Sequence, residues 1–272
     1  MDHRTQGSYR KPLQRHTEKQ DKEPLYLIHV TTVGFGREIL DMDLIEAHYC
    51  KHFGKDLVYF FIDRPGYKAQ DSDQKSDQIN RFPFVFILPF SEFPTPYHVY
   101  PFDTGAALTG LFDDKADPHI YLDDYELGRN ASAIKGHLKW AFGSRQDYFT
   151  GRLRVDLEST FAPWDSIEKS FLDIARLASP THNRPDKRAS AIEVAYSTNF
   201  SLTDRDAKVV IPKQLLEWGK NSNTQIVERL SSLSLSWACY DWSPNSRPVD
   251  FLEGISQIIS GEFLGLAPKN GE

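Results

Sequence analysis

Leu25-Tyr26-Leu27-Ile28-His29-Val30-Thr31 is the stretch on which the fold turns. It is short, apolar and rich in β-formers, so it reads as a buried strand. Two further runs of the same kind follow. Leu57-Val58-Tyr59-Phe60-Phe61-Ile62 ends at Asp63-Arg64-Pro65-Gly66, and Phe84–Leu88 is flanked by prolines. Tyr97–Phe102, Ala191–Tyr196 and Lys208–Ile211 complete the expected strands. Between the first two, Ile39, Leu40, Leu44, Ile45 and Tyr49 recur at helical spacing, which predicts a helix from about Arg37 to Lys51 stopped near Gly54. Ala131–Phe142, Ser166–Ala178, the segment after Pro212 and Val249–Ile259 read as helices as well. The strands are not separated by regular crossover helices, so an α+β fold is expected rather than a doubly wound parallel sheet.

Composition sets outer limits. The 272 residues are 40% hydrophobic and 26% charged, an ordinary globular mixture that excludes a wholly disordered chain. The net charge of −6 argues against nucleic-acid binding through bulk positive charge, while leaving room for a local basic groove. No apolar run approaches the roughly 20 residues that span a bilayer, and no apolar leader opens the chain. Cys50 and Cys239 are too few for a disulfide framework or a zinc site and fit a reducing cytosol, so a cytoplasmic location is expected. Residues 1–23 are polar and mixed in charge, which predicts a mobile tail ahead of one domain over 24–272 that ends in helices.

Glu193 is the most informative single residue. It sits in Ala191-Ile192-Glu193-Val194-Ala195, where apolar neighbours predict burial, and an ionised carboxylate is costly to bury without a partner or a task. His29 and Thr31 share one face of the first strand and can offer hydrogen bonds to a ribose or an amide. Arg64 precedes Pro65-Gly66, where a turn would expose its guanidinium to a phosphate or a developing anion.

These islands resemble the ADP-ribosyltransferase superfamily. The N-terminal pattern Leu25–Thr31, then Ile39-Leu40, then Val58-Tyr59-Phe60-Phe61 with Arg64-Pro65, is similar to DarT-like toxins that modify nucleic acid. Asp186-x-Arg188 followed by Ala191-Ile192-Glu193-Val194 is similar to the segment that carries the catalytic Glu of those enzymes. The resemblance implies a split β-sheet core with flanking helices and NAD as co-substrate. It implies His29, the Val30 backbone and Thr31 at the nicotinamide side, with Tyr59 or Tyr67 stacked on the nicotinamide ring. Glu193 would stabilise the ribosyl cation, and Arg64 would contact a phosphate or assist acceptor deprotonation. Ala191 stands where arginine-modifying relatives carry a second Glu, so arginine is not the expected acceptor. The kinship implies transfer to a DNA or RNA base by a toxin or phage-defence effector with a cognate antitoxin. Modification of protein or simple NAD hydrolysis is the nearest alternative. No metal is required.

Other patterns weigh against or beside this. Tyr148, Phe149, Arg152 and Arg154 interleave basic and aromatic residues on an expected strand that, with Arg188, would hold a single-stranded acceptor. Pro101-Phe102-Asp103-Thr104-Gly105-Ala106 is similar to the catalytic turn of retroviral-type aspartic proteases, which would need two chains to supply two aspartates. The plainer reading is a turn that opens a helix, capped by Asp103 or Thr104. A catalytically dead scaffold is a third alternative. Gly34-Phe35-Gly36 lacks the third glycine of a dinucleotide fingerprint, and His48 with His52 on one helix face lacks a third metal ligand.

Overall fold

The computed structural model describes residues 1–2, 23–66, 72–203 and 205–266. Most of the tail expected over residues 1–23, and the ring expected at Tyr67, lie outside the described residues. The strands are β1 (Tyr26–Thr32), β2 (Leu44–Ile45), β3 (His48–Cys50), β4 (Lys55–Ile62), β5 (Pro83–Pro89), β6 (His98–Tyr100), β7 (Glu193–Tyr196), β8 (Phe200–Ser201), β9 (Lys208–Pro212), β10 (Glu217–Trp218), β11 (Asn221–Ser222) and β12 (Ser236–Tyr240). The helices are α1 (Val33–Met42), α2 (Thr104–Leu108), α3 (Ala131–Phe142), α4 (Arg145–Thr150), α5 (Ser166–Ala175), α6 (Lys213–Leu216), α7 (Thr224–Ser232) and α8 (Leu252–Ile258). The chain is a mixed α+β protein that divides into two compact units.

One unit draws its described residues from Pro24–Tyr49, Asp56–Phe93 and Ser197–Glu272. It contains a mixed sheet in the order β12-β9-β5-β1-β4. β1 pairs antiparallel with β4 on one side and with β5 on the other, where His29 faces Phe86 and Thr31 faces Phe84. β9 runs antiparallel to β5, and β12 runs parallel to β9. Leu27, Ile28, Phe60, Phe84, Phe86 and Ile87 are fully buried, each contributing about 1.5–3 kcal/mol by leaving water.

β1 runs straight into α1. Thr32 caps the helix, its hydroxyl accepting from the Phe35 N–H. Val33, Gly36 and Leu40 form the buried stripe of α1 at helical spacing. Gly36 is needed there, because a Cβ would lie 2.4 Å from Cγ of Phe84. The helix stops at Met42, well short of Lys51. Asp43 adopts the left-handed conformation (φ 56°) and its N–H returns to the carbonyls of Ile39 and Leu40. The Asp43 carboxylate then accepts from Ser201 Oγ at 2.8 Å, Leu202 N at 3.0 Å and Thr203 Oγ1. That trio registers β2 against β8, whose residues Leu44 and Ser201 pair. Arg229 of α7 closes the remaining end of α1, donating to the Leu40 carbonyl at 2.6 Å and the Asp41 carbonyl at 3.0 Å. The expected helix over 37–51 is therefore corrected: His48 lies on strand β3 and His52 in the turn after it, so they share no helix face.

The other unit contains, of the described residues, Met1, Asp2, Glu23, Cys50–Lys55 and Pro94–Tyr196. β6 and β7 pair antiparallel, with Tyr100 opposite Glu193 and His98 opposite Ala195. α3 and α5 form where the periodicity predicts them, α5 being continued to Ala178 by a single tighter turn. α3 starts on the Asn130 cap and stops at Gly143. The segment expected as a strand through Tyr148–Arg154 is instead helix α4, begun by the Ser144 cap on the Asp147 N–H. It ends at Gly151, where φ is 77° and a Cβ would meet the Ala178 carbonyl oxygen at 2.6 Å.

Candidate functional site

Glu193 opens β7 and is 2% exposed, as its apolar neighbours predict. Its carboxylate is held on both oxygens by one residue of α2. The Thr104 N–H donates to Oε2 at 3.1 Å and the Thr104 hydroxyl donates to Oε1 at 2.6 Å. His98 of β6 adds Nε2 at 3.2 Å from Oε1, and its ring packs against Phe53 and Tyr100. Asp103 is the cap of α2. Its Oδ1 accepts from Ala106 N at 2.8 Å, and its own N–H donates to the Arg188 carbonyl at 3.0 Å. The Asp-Thr-Gly turn is thus a helix start, the plainer of the two sequence readings.

Two buried carboxyls result. Burial pushes Glu193 up to about 7, against the pull of the two Thr104 hydrogen bonds. Burial and then the nearby Glu193 charge push Asp103 up to about 7 as well, the Ala106 N–H and Arg188 opposing. A pair of acids that change charge near neutrality, in a place closed to bulk water, can hold a proton or stabilise a developing cation. Asp103 at 8% exposure is the more accessible of the two.

Arg188 is half-buried and paired with Asp186 through Nε at 3.0 Å and Nη2 at 2.7 Å. Tyr148 is fully buried, and its hydroxyl accepts from Ile192 N at 3.0 Å. It braces the segment before Glu193 and presents no ring for stacking, which corrects its expected role in acceptor binding. Arg152 stays at the surface, 4.0 Å from Asp147. Alternation of basic and aromatic residues suggests one strand face; the helix instead sends Tyr148 inward and leaves Arg152 beyond its end.

In the other unit, His29 is half-buried on β1. Its Nδ1 lies 3.0 Å from the Tyr59 carbonyl, packed beside Phe60 and Phe86. A carbonyl only accepts, so Nδ1 carries the proton and Nε2 is the acceptor. Burial lowers the histidine below its ordinary value, keeping it neutral. Tyr59 contributes that backbone carbonyl. Val30 and Thr31 follow on β1 and line a small recess with Thr32, Ser72 and Arg81. Arg64 is 1% exposed, so the expected surface guanidinium is corrected. Asp63 turns the backbone there with φ 59°, and its N–H and carboxylate engage the Tyr26 carbonyl and N–H at 2.8 and 2.9 Å. That clamp folds the chain inward after β4, and Arg64 goes with it.

No family model, curated protein or solved structure matches the chain. Among the described residues, no helix is long and apolar enough to cross a membrane, and no group of three or more His, Cys, Asp and Glu is placed to hold a metal. The roles of His98 and Thr104 escape a reading of the sequence because they lie 95 and 89 residues from Glu193.

Proposed function

We propose that the protein is a mono-ADP-ribosyltransferase. In this reading Glu193 stands beside the ribose carbon of NAD as nicotinamide leaves. The C1′–N bond breaks with its electron pair going to nicotinamide, a nucleophile of the acceptor bonds to C1′, and the acceptor proton passes to a carboxylate. An anion close to that carbon offsets the positive charge that develops on the ribose. Within its own unit, His29 Nε2 would accept from a ligand hydroxyl, with the Val30 backbone and Thr31 beside it. The α+β core would be the split sheet of the superfamily. The acceptor would be a DNA or RNA base, met by Arg152 and Arg188, and the setting a cytoplasmic toxin or phage-defence effector held by an antitoxin.

The observation that supports this most is the buried, doubly gripped Glu193 carboxylate beside a second acid. A buried carboxylate with this environment suits a task at neutral pH better than a stabilising role, since an apolar pair would fill the space at lower cost. The same filling of its lone pairs by Thr104 and His98 favours the scaffold as second reading.

Labelled NAD, incubated separately with DNA, RNA and cell protein, separates them. Transfer to one pool that falls at least about a hundredfold in Glu193→Gln, with the variant still unfolding in one cooperative step, supports the transferase. Label retained at full rate by Glu193→Gln overturns it, and absence of nicotinamide release with any pool selects the scaffold. Peptide cleavage abolished by Asp103→Asn and indifferent to NAD would mark the dimeric protease.

A further inference from the structure

The recess beside β1 has the chemistry of an anion site. It measures about 20 Å³ and opens to solvent, with Thr31, Thr32, Ser72 and Arg81 as its polar wall. That volume admits one oxygen-sized group at the floor. Pro248, Val249 and Leu252 make the facing apolar wall.

Ser72 is the observation that points to a ligand. It is 5% exposed, and its Oγ has no hydrogen-bond partner among the described residues. The residue is not loose. Its carbonyl accepts from Val249 N at 3.1 Å, and nearby the Ser76 N–H donates to the Ser246 carbonyl at 2.9 Å in a short antiparallel bridge. A fixed, buried hydroxyl with nothing to bond is a donor waiting for an oxygen.

The surroundings select the sign of that oxygen's charge. The recess abuts the N-cap of α1, whose ten residues put partial positive charge at this end, and the first turn holds no acidic side chain. Arg81 is exposed, and its guanidinium makes no hydrogen bond or ion pair among the described residues. Asp73 follows Ser72, but its charge acts on Arg247, which also pairs with Asp250 at 2.6 Å. Thr32 Oγ1 already accepts from Phe35 N, which leaves its proton to donate.

We propose that this recess is a phosphoryl site, in which one phosphate oxygen enters toward Ser72 and the Thr31 and Thr32 hydroxyls while Arg81 closes on the oxygens at the mouth. The rest of the ligand lies outside. The site stands whether or not NAD is the substrate of the protein.

Titration of the full chain with inorganic phosphate, pyrophosphate and ADP-ribose, at matched ionic strength against chloride, tests it. Saturable binding with a rise in Tm is expected, weakened about tenfold in Arg81→Gln and again in Ser72→Ala. Equal affinity for the three ligands assigns the site to free phosphate; preference for ADP-ribose assigns it to a diphosphate ester. In phosphate-free buffer Ser72→Ala keeps its Tm, because the hydroxyl it removes bonds nothing among the described residues. No saturable binding of any of the three up to about 10 mM, or binding indifferent to both substitutions, overturns the proposal.

Discussion

Thr104 grips both oxygens of the Glu193 carboxylate, with its N–H at 3.1 Å and its hydroxyl at 2.6 Å. One residue therefore fixes the plane of the acid and offsets part of its burial. Thr104→Val keeps the shape and the N–H but removes the hydroxyl. A hydrogen bond to a charged group is worth about 1.5–3 kcal/mol, so a loss of about 2 kcal/mol is expected, with Thr104→Ser close to unchanged. Urea unfolding at pH 8, where Glu193 is charged, measures it. A loss in Thr104→Ser with none in Thr104→Val would show that the methyl contact, not the hydroxyl, matters.

Glu193 also sets a sign in the pH dependence. Its folded value near 7 stands above the ordinary 4.5. The folded state then binds the extra proton between those values, so this stabilisation is complete below pH 4.5 and is lost as the pH rises through 7. Glu193→Gln removes the dependence. The stability difference between Glu193→Gln and the parent chain is expected to move in favour of the variant from pH 5 to pH 8, as followed by urea midpoints. The ceiling on that movement is about 1.4 kcal/mol for each pH unit crossed. A difference that stays flat across the range would mean that the acid is solvated.

His137 has the opposite sign. It is buried between Trp140 and Phe171, ring centroids 5.5 and 4.9 Å away, and neither nitrogen has a partner among the described residues. Burial alone pulls it down to about 3 from 6.5. Its stabilisation is full above pH 6.5 and fades as the pH falls toward 3. His137→Leu is expected to gain about 1 kcal/mol at pH 7.5 by removing two unmet polar atoms, and more at pH 5.5. Thermal melts at both values read this directly; a variant less stable at pH 5.5 than its parent would contradict it.

Much of the fold was legible because burial writes itself into composition. The runs at Leu25–Val30, Leu57–Ile62 and Phe84–Leu88 are strands because a sheet interior buries both faces, and the runs are too short and too rich in β-branched and aromatic residues for a buried helix. The stop at Asp43 was not legible. Helical spacing continues through Leu44, Ile45 and Tyr49, and the left-handed turn is held by the Asp43 N–H on Ile39 and Leu40 together with the carboxylate's bonds to Ser201, Leu202 and Thr203, far along the chain. α4 hid for a local reason: its aromatic residues favour strands, and the Ser144-x-x-Asp147 cap outweighed them. At the site, Glu193 announced itself through its neighbours, while the hand that holds it came from a turn read only as a cap.

Gly36 and Phe84 meet so closely that neither can change alone. A methyl group on residue 36 would clash with the Phe84 side chain at 2.4 Å, and a smaller side chain at 84 would leave a void under α1. Any distant cousin of this chain must therefore trade bulk between these two positions in step. That reciprocal exchange is a signature by which kinship could be recognised long after the rest of the sequence has drifted.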